Sequence, residues 1–144
     1  MVKIGFIVEG HTEKILIEST SFQNWAKQQG IEICKPVLNA KGGGNLLPQN
    51  IEPMMKVLQL KQPNYIVILT DLEREPTQEA VKARIGTQHT GLIFIAIKAI
   101  EAWFLADSSA LSAWLKTELS EIYPEKTIGM PWDRLGELAK ELKQ

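Results

Sequence analysis

Three short stretches combine residue types and spacings that can do chemistry. In Asp71-Leu72-Glu73 two carboxylates stand two residues apart. On an extended backbone such residues point the same way. Clustered carboxylates resist ionising together unless a cation neutralises them. A hard cation such as Mg²⁺ or Mn²⁺ favours oxygen ligands and keeps positions open for substrate phosphate. The competing reading is a solvated acidic turn with Arg74 as its partner.

Glu9-Gly10-His11-Thr12-Glu13 is the second stretch. Gly10 lets the backbone turn sharply, and a helix beginning after it offers its positive N-terminus to an anion. Glu9, at a strand end, is a candidate general acid or base. Glu13 either adds a metal ligand at this edge or complements the helix dipole. The third stretch, Lys41-Gly42-Gly43-Gly44-Asn45, could wrap a phosphate with backbone N–H groups such as that of Gly43, with Lys41 as a point charge. No Gly-Lys-Ser/Thr closes it, so it is not a Walker A loop. Its composition also suits a flexible linker. His11 and His89 are too few and too far apart in sequence to suggest a zinc site.

The elements that must position these groups follow from hydrophobic patterning. Val2 to Val8 reads as a buried strand. Thr12 is placed to cap a helix running to about Gln29 and closed by Gly30, with Ile15, Phe22, Trp25 and Ala26 on its inner face. Ile31 to Leu38 is a second strand, bent or at an edge because of Pro36. A helix from about Leu46 to Lys61 follows. Pro48 lies in its first turn, where proline is tolerated, and Pro53 is expected to kink or restart it. Tyr65 to Thr70 is a buried strand ending on Asp71, Thr77 to Ile85 a short helix ended by Gly86, and Leu92 to Ile97 a fourth buried strand. Short helices at 100–105 and 110–115 and a last helix from about Asp133 complete the pattern.

Strands separated by helices predict an α/β fold: a Rossmann-like, about four-stranded, mainly parallel sheet with helices on both faces and a helical C-terminal part. The chain reads as one domain, with its core over about 1–107 and the helical part over about 108–144. In such a sheet ligands bind beyond the carboxyl ends of the strands. Glu9, Asp71 and Glu73 lie there, as do Lys98 and, one helical turn later, Glu101. Asp107 is expected to cap the next helix.

The totals narrow the classes. The chain has 144 residues and a net charge of −1, so it has no global basic field to capture nucleic acid, and a nucleic-acid role needs a local basic patch or metal ions. Cys34 is the single cysteine, which excludes an internal disulfide and suits a reducing, cytoplasmic compartment. The opening segment lacks the apolar run of a signal peptide, and no stretch is long enough to span a membrane. Trp103, Phe104, Trp114 and Trp132 are expected in a core.

Taken in order, IVEGHTE (Ile7 to Glu13) and ILTDLERE (Ile68 to Glu75) resemble the Toprim domain of topoisomerases, primases and OLD-family nucleases. The KGGGN loop and IKAIEAWFLAD (Ile97 to Asp107) are similar to small Toprim-like proteins close to the OLD group. The resemblance implies that Glu9 is a metal ligand or general acid/base, that Asp71 and Glu73 are the metal-binding acidic pair, and that Lys98 lies near the scissile phosphate. Glu73 departs from the pattern, which usually has Asp there. The implied activity is a Mg²⁺- or Mn²⁺-dependent phosphodiesterase or nuclease acting on nucleic acid, with DNA favoured over RNA, or on another phosphate substrate, with any ATPase on a separate partner chain. The alternative is a catalytically silent Toprim-like binding or partner module. The chain is compatible with a homodimer.

Overall fold

The computed structural model describes residues 1–72, 75–86, 92–96, 109, 112–113 and 130–142. Strands β1 (Val2–Val8), β2 (Ile31–Ile33), β3 (Leu38–Asn39), β4 (Tyr65–Asp71) and β5 (Leu92–Ala96) form one sheet in the order β2-β1-β4-β5, with β3 also pairing with β1. The described helices are α1 (His11–Glu18), α2 (Thr20–Gln28), α3 (Pro48–Gln59), α4 (Gln78–Ile85) and α5 (Pro131–Leu142). None is long and apolar enough to cross a membrane.

All three pairings of β1 are parallel. The offset between partners is 29 in the Val2–Ile31 pair and 31 in the Ile7–Leu38 pair, so two residues are looped out between β2 and β3. The expected second strand is therefore split at Pro36, which has no N–H to give to a ladder. Helix α1 compensates for the gap. Lys14 Nζ donates to Val37 O at 2.9 Å, and Val37 N–H donates to Glu18 Oε1 at 3.3 Å, so both polar groups of a buried residue are satisfied.

Residues 5–8 of β1 and 66–70 of β4 are buried without alternation, as strands covered on both faces must be. Successive residues of β1 identify the covers. A side chain at Gly5 would lie 3.2 Å from Leu58 of α3, so α3 packs close to the backbone there. Phe6 points to the opposite face and meets Phe22 of α2 edge-on, with ring centroids 6.4 Å apart. Ile51, Met55 and Leu58 form the buried stripe of α3. Pro53 stays inside α3 and neither ends nor restarts it.

The expected helix from Thr12 to Gln29 is two helices. Gly10, not Thr12, is the N-cap of α1. Ser19 is extended, with ψ 146°, and its hydroxyl serves both sides: it donates to Leu16 O at 2.7 Å and accepts from Phe22 N–H at 3.2 Å. The break resets the helical phase, so the expected inner face survives only in part: Phe22 packs on Phe6 and Ala26 is buried. Ile15 and Trp25 are 57% and 51% exposed, whereas Ile17 and Ala26 are buried. Helix α4 starts and stops where its sequence indicates: Thr77 Oγ1 accepts from Ala80 N–H, and Gly86 ends it with φ 103°. Strand β5, expected to be fully buried, leaves Leu92 and Phe94 half exposed at the sheet edge.

The chain forms two compact units, one of Met1–Thr70 with Glu75–Ile95, the other of Asp71–Arg74 with Ala96–Gln144. In the second, Leu72 N–H donates to Ala96 O at 2.9 Å. On α5 Leu138 is buried, and Trp132, expected in a core, is 42% exposed. Trp103, Phe104, Trp114, Asp107 and the expected helices at 100–105 and 110–115 fall largely or wholly outside the described residues.

Candidate functional site

Glu9 directly follows β1 at its carboxyl end and is 7% exposed. The β1–β4 register explains how it is held. Partners from Ile4↔Tyr65 to Val8↔Leu69 differ by 61 positions, and one further step pairs Glu9 with Thr70. Side chains at one register step share a face of the sheet. Thr70 Oγ1 accordingly donates to Glu9 Oε2 at 2.7 Å, and Thr70 is fully buried. Glu9 N–H donates to Leu69 O at 3.1 Å, which continues the ladder. Both the backbone and the carboxylate of Glu9 are thus fixed.

Gly10 does not act as the sequence suggests. Its φ of −146° is ordinary extended backbone. What glycine supplies here is space: a Cβ would lie 3.0 Å from Glu13 Oε2. The Glu13 carboxylate therefore folds back over the start of α1, where the helix dipole favours negative charge. Glu13 is 4% exposed, so two carboxylates are buried within one turn of chain at this edge.

The Lys41–Asn45 loop begins beside Glu9 because Asn39 of β3 pairs with Val8. It is tied down rather than free. Gly42 N–H donates to Glu9 O at 2.7 Å, and Lys41 N–H donates to Asn39 Oδ1 at 2.8 Å. The Asn45 amide donates to the carbonyls of Ala40 and Lys41. Lys41 has a left-handed φ of 61°, an exposed side chain, and a place at the same strand edge as Glu9. Gly43 opens a 3₁₀ turn, Gly43–Asn45. Since the N–H groups of Lys41, Gly42 and Asn45 are engaged inside the fold, the expected phosphate cradle is reduced to those of Gly43 and Gly44.

Asp71 is the last residue of β4 and is partly buried. Glu73, Lys98 and Glu101 lie outside the described residues. Among the described residues no three His, Cys, Asp or Glu side chains form a set able to hold a metal ion. The chemistry of Glu9 and Glu13 nevertheless suits a hard cation, since both offer carboxylate oxygens. Thr70 is the participant missed by sequence reasoning. Its one signal is that it is the polar end of an otherwise apolar run, Tyr65 to Thr70.

Cys34 is buried as expected of a small hydrophobe. Burial pushes its thiol above the ordinary value; nearby Lys3 opposes this, Glu32 adds to it, and Lys61 opposes it.

Comparison with family models, with curated proteins and with solved structures finds no match to this chain.

Proposed function

We propose that the protein is a divalent-metal-dependent phosphodiesterase of the Toprim/OLD type that cleaves nucleic acid, DNA in preference to RNA. The observation that carries this reading is the buried Glu9 at the carboxyl end of a central parallel strand, oriented by Thr70 at 2.7 Å. Ligands of open parallel sheets bind at this edge. Mg²⁺ or Mn²⁺ bound there supplies charge stabilisation of the phosphate and an activated water. Glu9 and Glu13 offer hard oxygen donors, and Thr70 holds Glu9 in one orientation. Lys41 offers an exposed positive charge to a phosphate oxygen. Asp71, Glu73 and Lys98 enter this reading through the resemblance, and Glu101 through its place one helical turn after Lys98. We place the protein in the cytoplasm, with any ATPase partner on a separate chain.

A second reading is a catalytically silent binding module. The internal bonds of the Lys41 and Gly42 N–H groups favour it, because they occupy donors that a phosphate would need. Supercoiled-plasmid nicking with Mn²⁺ or Mg²⁺, alongside calorimetric Mn²⁺ titration, separates the two. Metal-dependent nicking by the wild type, lowered at least a hundredfold in Glu9→Gln and retained in the exposed-site variant Glu79→Gln, is the expected result. Equal nicking by Glu9→Gln and wild type would overturn the catalytic reading. Metal or DNA binding without nicking would favour the silent module.

A further inference from the structure

A cleft of about 580 Å³ opens in the first unit at the other end of β1, between α2 and the starts of β1 and β2. Lys3 and Glu9 are six residues apart on one extended strand, roughly 20 Å at about 3.3 Å per residue. The cleft is therefore distinct from the carboxylate edge. Lys3, Lys27, Lys35 and Lys61 line it, and Glu32 is the one acid among its lining residues. The chain as a whole has sixteen Lys and Arg and a net charge of −1, so four cations around one concavity are a marked local departure.

Outside the cleft, Lys14, Lys56, Arg84 and Arg134 each have a carboxylate partner within 4 Å, whereas the described Lys41, Lys82 and Lys140 have none. Among the described residues none of the four cleft lysines makes such a pair. Glu32, opposite Lys3 in the β1–β2 register, offsets one of the four charges; the excess that remains repels, and a bound anion relieves that repulsion. By the alternation of β1, Lys3 and its register partner Glu32 lie on the α3 face of the sheet and Ile31 and Ile33 on the α2 face, so the cleft wraps the β2 edge. Ile31 and Ile33 add an apolar wall, so the cleft offers more than a charge pair.

We propose that this cleft binds a compact phosphate ester of nucleotide size, its phosphates between the four lysines and its organic part against Ile31 and Ile33. The volume falls within the roughly 300–1,000 Å³ of small-ligand sites. Size also argues for a compact ligand over a long polyanion. The local positive field is screened beyond a Debye length of about 8 Å, and the rest of the chain is net negative.

The test is calorimetry on the full chain in EDTA, which silences any metal-dependent binding at the Glu9 end. The probes are ADP, a 5′-phosphorylated dinucleotide and inorganic phosphate. Lys27, Lys35 and Lys61 are exposed, so neutralising them leaves the core intact; thermal melts verify this. ADP is expected to bind in the submillimolar range. The double variant Lys27→Gln/Lys61→Gln should weaken it at least tenfold, and Lys56→Gln, on an exposed lysine outside the cleft, should leave it unchanged. If that double variant misfolds, Lys35→Gln/Lys61→Gln replaces it. Tighter binding of ADP than of the dinucleotide identifies a free nucleotide as the ligand; the reverse identifies a nucleic-acid 5′ end. No ADP binding at millimolar concentration, wild-type affinity in the double variant, or an equal loss in Lys56→Gln would each overturn the proposal. So would inorganic phosphate binding as tightly as ADP, the sign of an adventitious ion only.

Discussion

Thr70 donates its hydroxyl to Glu9 Oε2 across the β1–β4 boundary at 2.7 Å, with both side chains buried. A buried carboxylate oxygen that loses such a donor keeps its desolvation penalty. Thr70→Val, similar in shape, is therefore expected to cost about 1–3 kcal/mol. Thr70→Ser should keep most of the stability because it keeps the hydroxyl. Urea denaturation of the three proteins checks this. A Thr70→Val variant as stable as wild type would show that the hydroxyl does not hold Glu9.

Gly10→Ala isolates the role of space at the start of α1. The backbone there accepts any residue, so the effect must come from the new Cβ meeting Glu13 Oε2. That oxygen ends a flexible side chain and can move. The expected stability loss is small, about 1 kcal/mol or less, below the usual cost of overpacking a rigid core. If the Glu13 carboxylate takes part in metal binding, Mn²⁺ affinity should fall by more than stability does. Calorimetry on the variant gives the answer, and unchanged affinity would remove Glu13 from the ligand set.

Ser19→Ala removes the hydroxyl that caps α2 and also bonds to the end of α1. Loss of an N-cap typically costs about 1 kcal/mol, and here the bond to Leu16 O goes too. A lower denaturation midpoint with an unchanged denaturant slope is the expected signature. Thr77→Ala, which removes the cap of α4, serves as a comparison with a single bond lost. It should cost less than Ser19→Ala.

Cys34 gives a pH dependence with a definite sign. Burial favours its neutral thiol, so the folded-state value lies above the ordinary one. The resulting stability is fully present below the ordinary thiol range of about 8.5 and is lost as pH rises through the raised folded value. Stability measured between about pH 7 and 10 should fall in the wild type and fall less steeply in Cys34→Ala. Parallel slopes in the two proteins would show that groups other than Cys34 set the decline. Alkylation of Cys34 by iodoacetamide at neutral pH should likewise be slow, since little thiolate is present.

Local pattern was enough to place most elements. The apolar runs of β1 and β4 read as buried strands because, in a parallel sheet covered on both faces, every residue must be apolar. The ends of α4 read correctly to within a residue because Thr77 and Gly86 act on their own neighbours. Glu9 could be assigned to a strand end from the abrupt change at Val8-Glu9-Gly10 alone.

Relations between distant residues needed the tertiary structure. The Glu9–Thr70 bond depends on a register offset of 61, which no local pattern encodes. The break at Ser19 was hidden because serine is compatible with a helix interior, and only its two hydroxyl bonds fix the extended backbone there. The lysine cleft was invisible for a related reason. Lys3, Lys27, Lys35 and Lys61 are scattered in sequence, and parallel pairing of β2 with β1, beside α2, gathers them around one space. Sequence determines what each segment can be; chain packing decides which side chains meet.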